Sequence, residues 1–286
     1  MRLLKIPLYA VELLLVAVGL IYFLTPIWWV IISSFKSVPE IFSGNPFWIR
    51  RPTLELYLLL FTPTEAFARA RGLLWFMNSI FYSSSSALIA SVISLAAGYA
   101  LSKFDFKGKT LIYSLIAVSL TLPAIVVSIP SFIMIMYMGW LDTYQGIIIP
   151  LSFTSFGVFL MKIFVDGTVP NEVLDAARVD GASELRIFFS IVLRLTISGV
   201  LTIFIIQFIS SWNNLIYQLL VLYSESKFTL PQGMAANMFF GSQGLERSIA
   251  ITISGSALSI FLMATVFLIL ESRIERSFEL GYGMKG

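Results

Sequence analysis

The sequence predicts an all-α, polytopic membrane protein with about six transmembrane helices. Of its 286 residues, 58% are hydrophobic and only 12% are charged. A soluble domain, by contrast, is about 45–50% apolar and about 25% charged. A helix that crosses a bilayer needs about 20 apolar residues. Stretches of suitable length and composition cover about residues 7–34, 75–101, 111–138, 146–164, 197–223 and 249–270.

The first apolar stretch follows Met1 and Arg2, an arrangement that a signal peptide also shows. Its apolar run is too long for a signal peptide, and no small-residue cleavage site follows it. We therefore expect residues 7–34 to be retained as a span.

The distribution of Lys and Arg predicts the orientation, because cytoplasmic segments carry an excess of these residues near the membrane. If the N-terminus is inside, the inside segments hold Arg2, Lys5, Lys103, Lys107, Lys109, Lys162, Arg178, Arg186, Arg194, Arg273, Arg276 and Lys285. The outside segments hold fewer: Lys36, Arg50, Arg51, Arg69, Arg71, Lys227 and Arg247. We therefore expect cytoplasmic termini (1–6 and 271–286), an extracellular loop (36–74) and a cytoplasmic loop (166–195), all within one membrane domain spanning 1–286.

The residue types exclude several kinds of chemistry. The chain has no Cys and no His, so disulfides, thiol nucleophiles, thiolate zinc sites and imidazole bases are absent. It has no GxxxxGK[ST] pattern and therefore no phosphate-binding loop of that type. We expect a non-catalytic chain that binds no metal, no cofactor and no nucleic acid.

A polar stretch interrupts the apolar sequence between the fourth and fifth predicted spans. Its sequence, LDAARVDGASELRIFF, runs from Leu174 to Phe189. Pro170-Asn171 is a typical helix start with Asn171 as N-cap, and Asp180-Gly181 is a turn dipeptide. These signals predict a helix-turn-helix over about residues 171–195.

The first of these two helices carries a shallow face made of Val173, Ala176 and Ala177. Two adjacent alanines allow another backbone to approach closely. The segment is therefore either a docking surface for a cytoplasmic partner or an amphipathic loop packed on its own bundle, and the residues alone leave both open.

The second helix is predicted to begin after a Ser183 cap and to lie at the membrane interface. Its polar stripe consists of Ser183, Arg186, Ser190 and Arg194. Its apolar side consists of Leu185, Phe188, Phe189, Val192 and Leu193. One polar and one apolar side at helical spacing are typical of an interfacial helix.

The sequence DAARVDGA, from Asp175 to Ala182, resembles the EAA motif of ABC importer permeases, which has Glu-Ala-Ala, three residues and Gly. Other stretches resemble carbohydrate-uptake members of that family in the same order along the chain: Asn78 to Lys109, WLDTYQGIIIP, SWNNLIYQLLVL, FTLPQGMA and the C-terminal GYGMKG. Together they cover nearly the whole chain from Pro26 onward. The pattern is similar to that of the six-span permease of the maltose transporter.

The resemblance implies an ATP-driven, binding-protein-dependent importer in the plasma membrane. Its implied partners are a second homologous permease, two ATP-binding cassette ATPase subunits, an extracellular solute-binding protein and a sugar, with ATP and Mg²⁺ used by the ATPase. The implied ATPase-docking residues are Glu172, Asp175, Ala176, Ala177, Arg178, Asp180, Gly181, Ala182 and Arg186. The tail residues implied to touch the ATPase pair are Gly283, Lys285 and Gly286.

The chain departs from the family pattern at three positions. Asp175 stands where the family has Glu and is one methylene shorter, while Arg194 and Ser198 stand where the family has prolines. Because proline breaks a helix, its absence leads us to expect that the second helix runs continuously into the fifth span.

The fifth predicted span is rich in amides and hydroxyls. These polar groups are costly in lipid and should face the bundle interior or a cavity. They are candidates either for a translocation path or for interhelical hydrogen bonds. The candidate path residues are Gln207, Ser211, Trp212, Asn213, Asn214, Tyr217 and Gln218.

Other functions remain as alternatives. A related importer could carry a polyol, a glycerol phosphate or another small solute. A solitary channel or secondary transporter would place ionisable residues deep in several spans, and only Glu12 lies deep in one. A membrane-embedded enzyme would need catalytic groups such as paired intramembrane carboxylates, which the sequence lacks.

Overall fold

The computed structural model describes residues 8–62, 72–240 and 244–282, and within them every regular element is a helix. The α-helices are α1 (Leu8–Ser33), α2 (Val38–Ser43), α3 (Glu55–Phe61), α4 (Gly72–Lys103), α5 (Lys109–Ser119), α6 (Ala124–Tyr137), α7 (Tyr144–Leu151), α8 (Ser155–Thr168), α9 (Asn171–Val179), α10 (Glu184–Ile187), α11 (Leu193–Leu195), α12 (Ile197–Trp212), α13 (Leu215–Val221), α14 (Leu230–Phe240) and α15 (Leu245–Tyr282). A π-helix, Phe188–Val192, joins α10 to α11, and a 3₁₀ helix covers Glu225–Lys227.

Three helices are by themselves long and apolar enough to cross a bilayer: Val11–Ser33, Gly72–Lys103 and Leu245–Glu271. Three further pairs of consecutive helices pass the same test together, but each pair is bent. The bends are 111° between α5 and α6, 42° between α7 and α8, and 78° between Glu184–Leu195 and α12. By length and composition, the described residues therefore provide up to six spans.

The breaks correct three predicted spans, which we expected to be continuous. Residues 111–138 divide into α5 and α6 just before Ala124. Pro123, which precedes α6, has an extended ψ of 133° and no N–H, so it cannot continue a helix from α5. Residues 146–164 divide before Thr154, whose hydroxyl accepts a hydrogen bond from the Gly157 N–H and so starts α8. Residues 197–223 divide at Asn213-Asn214, between α12 and α13.

The expectation that the second helix of segment 171–195 would run straight into the fifth span is wrong. The chain bends by 78° at Thr196 although no proline is present. Thr196 is buried with φ −107° and ψ 13°, and its hydroxyl donates to the Val192 carbonyl at 2.7 Å. A threonine that bonds back to the preceding turn competes with regular helix geometry and bends it.

Two segments predicted as loop or tail contain helix. The predicted loop 36–74 holds α2 and α3, and α15 continues through the predicted tail as far as Tyr282.

The chain divides into two compact units. The first comprises Met1–Leu73 and Met234–Leu262. Within it, the buried Lys36 ammonium donates to the carbonyls of Asn45 and Pro46 at 2.7 and 3.2 Å. The Ser254 hydroxyl donates to the Leu56 carbonyl at 3.4 Å. These bonds fasten the segments around α2 and α3.

The second unit comprises Leu74–Gly233 and Met263–Gly286. In it, α4 packs closely against α8 at Gly98, which has no side chain. A Cβ at this position would lie only 2.7 Å from the Met161 Cβ. Two hydrophobic clusters among its described residues have these buried members: Leu95, Tyr99, Met161, Val165, Val169, Leu174, Ile187, Val192 and Ile203 in one, and Tyr82, Ile135, Ile147, Tyr217, Val221 and Leu222 in the other. The first cluster holds segment 171–195.

The same unit contains a tightly bound loop that follows α13. Four consecutive carbonyls, from Glu225 to Phe228, accept hydrogen bonds from side chains of α4, namely Trp75, Asn78 and Tyr82. The Asp142 carboxylate accepts from backbone N–H groups of the loop and from the Lys227 ammonium. The loop is therefore fixed by side chains rather than by a β-ladder.

Candidate functional site

Helix α9 begins directly after a proline. Pro170, with φ −67° and ψ 142°, is the residue that precedes the first turn, so Asn171 is the first helical residue and not the N-cap that we expected. The Asn171 side chain instead accepts a hydrogen bond from the Lys103 ammonium at 3.0 Å. Glu172 lies in the first turn, where the positive end of the helix dipole favours an acid.

The turn predicted at Asp180-Gly181 is confirmed. Gly181 has φ +78°, a conformation that glycine adopts without a steric cost. Its N–H donates to the Arg178 carbonyl, and the Ala182 N–H donates to the Ala177 carbonyl, both at 3.0 Å. This pair of bonds is a Schellman motif, which ends α9 and reverses the chain.

The Ser183 cap is also confirmed, since its hydroxyl accepts from the Arg186 N–H at 3.4 Å. Ile187 and Val192 form the buried side of the second helix. They are five residues apart, the spacing that the π-helix between them brings onto one face. Leu185 and Phe189, predicted on the apolar side, are exposed.

Two apolar side chains hold the segment in the core. Leu174 of α9 and Ile187 of α10 are both buried and pack in the cluster with Leu95, Val165 and Val169. Neither residue was predicted as an anchor from the sequence. Their apolar character within a polar stretch was the available signal.

Three charged residues of the segment, Asp175, Arg178 and Glu184, are paired with one another. Arg178 donates to the Asp175 carboxylate at 2.9 Å and to the Glu184 carboxylate at 2.8 Å. The hydrogen bond to Glu184, together with that to Asp175, raises the pKa of the Arg178 guanidinium against the opposing effect of burial. Glu184 also accepts from the Tyr99 hydroxyl at 3.1 Å. Tyr99 and Glu184 were not predicted as site residues. They are 85 positions apart in the sequence, so no local sequence pattern indicates that they are in contact.

Most of the predicted docking residues are exposed. Ala177 and Ala182 are half-buried, and the others face outward: Glu172, Asp175, Ala176, Arg178, Asp180, Gly181 and Arg186. Val179, at the end of α9, is 88% exposed. The result is a projecting helix end with small and charged side chains on a buried apolar base. The predicted tail residues Gly283, Lys285 and Gly286 lie outside the described residues.

The polar residues of the fifth predicted span divide into two groups. In the first, Gln207, Trp212, Tyr217 and Gln218 are buried. The Tyr217 hydroxyl donates to the Gly146 carbonyl at 3.0 Å, and the Gln218 amide donates to the Ser211 and Trp212 carbonyls at 3.0 and 3.4 Å. The Gln207 amide donates to the Leu151 carbonyl. These bonds join helices and satisfy the carbonyls at the end of α12.

The second group lies at the break between α12 and α13. Asn213 is exposed and Asn214 is half-buried, while the Ser211 hydroxyl is buried and has no hydrogen-bond partner among the described residues. Non-helical backbone at membrane depth is tolerated where it is buried in protein or lines a water-filled cavity. Asn213 and Asn214 are therefore the predicted path residues whose side chains the fold does not bury.

Membrane helices that break within the span are typical of transport proteins, and the described residues contain three bent helix pairs that are long and apolar enough for a span only when taken together. The chain belongs to the family of binding-protein-dependent transport system inner membrane components, whose model matches residues 90–277.

Individual proteins similar to this chain are also permease subunits of transport systems. The arabinooligosaccharides transport system permease protein AraQ of Halalkalibacterium halodurans is 29% identical over 259 residues, covering 90% of this chain and 89% of that protein. The diacetylchitobiose uptake system permease protein NgcG of Streptomyces coelicolor is 28% identical over 263 residues, covering 90% and 83%. A bacterial ABC transporter involved in the import of the acidic polysaccharide alginate has a chain with a similar fold, with a TM-score of 0.76, 22% identity and coverage of 92% and 95%.

Proposed function

We propose that this chain is the membrane-spanning subunit of an ATP-driven importer for a sugar or oligosaccharide, and that segment 171–195 docks on a cytoplasmic ATPase. The observation that carries the proposal is the form of this segment. Its exposed helix end bears small and charged residues, while Leu174 and Ile187 fix its base in the core. A rigidly based projection can transmit a movement of its partner to the spans that hold it.

The mechanism follows from differential binding. ATP binding closes the ATPase dimer, and the docked segments are drawn together with it. The membrane domain then changes from an inward-facing to an outward-facing state, because the partner binds one arrangement of the docking segments better than the other. Gly181 allows the turn, Ala176 and Ala177 allow close approach, and Asp175 with Arg178 forms the polar rim.

The proposed assembly contains a second, homologous permease, two ATPase subunits and an extracellular solute-binding protein. ATP and Mg²⁺ belong to the ATPase, so this chain is non-catalytic and holds no cofactor. The excess of Lys and Arg in segments 1–6, 166–195 and 271–286 supports an orientation with both termini in the cytoplasm.

The proposal that the solute is a sugar or oligosaccharide is supported by the amides at the break between α12 and α13, since amides pair well with hydroxyl groups, and by the oligosaccharides in the names of the relatives. A polyol or a glycerol phosphate is the second candidate. The substrate class can be tested by measuring the uptake of radiolabelled arabino- and chito-oligosaccharides. Cells that lack this chain are compared with the same cells after its gene has been restored. Uptake of glycerol phosphate alone would favour the second candidate.

Docking can be tested with a single introduced thiol, because the chain has no cysteine of its own. We expect a maleimide to label Val179→Cys rapidly in the isolated chain and slowly once the cognate ATPase is bound. Asp105→Cys, in the exposed connection between α4 and α5, is the control and should label equally in both states. Equal labelling of Val179→Cys with and without bound ATPase would contradict docking at this turn.

A further inference from the structure

We propose that Tyr99 and Glu184 are positioning residues, which fix segment 171–195 to the end of α4 so that the segment and this helix move as one body. The inference rests on the proposed docking function, and it names the helix that receives the movement. It derives from hydrogen bonds between α4 and the segment.

The first connection is a chain of hydrogen bonds. The Tyr99 hydroxyl of α4 donates to one oxygen of the Glu184 carboxylate at 3.1 Å, and the Arg178 Nε donates to the other at 2.8 Å. The Arg178 Nη1 donates in turn to Asp175 at 2.9 Å. A carboxylate of the exposed helix α9 is thus joined to the membrane helix through three successive bonds.

The second connection lies one turn further along α4. The Lys103 ammonium donates to the Asn171 side chain at 3.0 Å. Tyr99 and Lys103 are four residues apart and therefore lie on the same side of α4. One side of α4 consequently holds the first residue of α9 and the first residue of α10.

The Tyr99 side chain is well suited to orient its partner. It is 5% exposed, and its ring contacts those of Phe104 and Phe188, with centroids 5.3 and 6.0 Å apart. These contacts fix the direction of the hydroxyl. The Asp175, Arg178 and Glu184 side chains are 68%, 37% and 47% exposed, so a partner that docks on α9 can reach the same chain of bonds.

Apolar packing and the bond chain have different roles. Leu174 and Ile187 keep the segment in the core, but apolar contacts are non-directional. The Tyr99–Glu184 bond fixes the angle between the segment and α4. Its loss should leave the segment folded and docked but loosely oriented.

The experiment measures distances between spin labels at Leu185→Cys in the segment and Leu88→Cys on α4, both of which are exposed and lie outside the proposed docking residues. Measurements are made on the chain in lipid nanodiscs, and then on the chain with its cognate ATPase, with and without AMP-PNP. In the parent chain we expect one narrow distance distribution that stays the same in every state. In Tyr99→Phe the distribution should broaden, and it should shift by about 1–2 Å with AMP-PNP, the size of helix shifts in allosteric transitions.

Tyr57→Phe is the matched control, because it removes another tyrosine hydrogen bond, 2.8 Å to Ser34 in the first unit. Glu184→Gln is the second variant, at a partly exposed position where misfolding is not expected. The double variant Tyr99→Phe/Glu184→Gln should be no broader than the worse single variant, since both interrupt one chain.

The outcomes separate the inference from the function on which it rests. A distribution in Tyr99→Phe and Glu184→Gln as narrow as that of Tyr57→Phe would overturn the inference. Failure of the ATPase to bind even the parent chain would overturn the docking function, while the width measured on the chain alone would still test the inference.

Discussion

Gly181 carries the sharpest conformational requirement in segment 171–195. Its φ of +78° is strained for any β-branched residue, although a Cβ added at this position would meet no atom within 4 Å. We predict that Gly181→Val destabilises the turn by about 1–2 kcal/mol and weakens co-purification of the ATPase. Gly181→Asn is the control, since asparagine tolerates this conformation. Equal ATPase recovery with both variants would contradict the prediction.

Lys36 shows how a buried charge can serve structure. Burial lowers the pKa of its ammonium, and the charge of Glu40 partly offsets this effect. We predict that Lys36→Met leaves the Asn45 and Pro46 carbonyls without this donor and lowers stability by about 1–3 kcal/mol. Thermal unfolding of the detergent-solubilised chain measures the loss. The exposed Arg50→Met serves as the control, and an equal melting temperature for both variants would refute the prediction.

Asp142, which binds the loop after α13, makes the stability of the protein depend on pH. Burial by itself raises the pKa of its carboxyl, but hydrogen bonds from Ser224, Tyr223 and Lys227 outweigh burial and hold this pKa well below its ordinary value. A carboxyl with a lowered folded-state pKa contributes stability above its unfolded-state value, and this contribution is lost as pH falls below it.

We therefore predict that Asp142→Asn melts at a lower temperature than the parent chain at neutral pH. The difference should stay constant down to about pH 5 and shrink below about pH 4, where the unfolded carboxyl protonates. Melting curves of both proteins across this range provide the test. A difference that grows towards acid pH would show that the sign is wrong.

At the scale of elements, the helices were more predictable from the sequence than their continuity. The long apolar runs of α1, α4 and α15 were predicted, since hydropathy measures length and polarity. The breaks at Pro123 and Asn213 and the bend at Thr196 were not, because a few residues of local geometry hardly change the hydropathy of a span.

Segment 171–195 shows the same division between local and tertiary features. Its turn and its Ser183 cap follow from local side-chain chemistry and were predictable. The bonds that position it, from Tyr99 and Lys103, join residues 85 and 68 positions apart and follow only from tertiary packing.

Two amide residues near the break in the fifth span, Gln218 and Asn213, lead to different predictions for stability and for uptake. Gln218 is buried and donates to the Ser211 and Trp212 carbonyls, so Gln218→Leu should lower the melting temperature. Asn213 is exposed, and its amide donates to the Ile209 carbonyl of α12 at 3.0 Å, so Asn213→Leu should reduce solute uptake with little effect on stability or assembly. Melting curves and uptake assays on both variants distinguish them. Normal uptake by Asn213→Leu would remove Asn213 from the proposed path.

At the scale of the whole molecule, the chain is a membrane-embedded permease subunit, and the proposed transport cycle depends on other chains. Its family supplies the class of protein, and its fold holds segment 171–195, the proposed docking segment, in the same core as α4, α8 and α12. The proposal on which the rest depends is that an ATPase engages this segment.

Co-purification of the solubilised chain with its cognate ATPase and partner permease tests this engagement, when the parent chain is compared with Asp175→Lys. Asp105→Lys is the control, because Asp105 is a fully exposed acid outside the segment. We predict that the parent chain and Asp105→Lys retain the ATPase and that Asp175→Lys loses it. Retention of the ATPase by Asp175→Lys at the parent level, or its absence from the parent complex, would contradict docking through this segment.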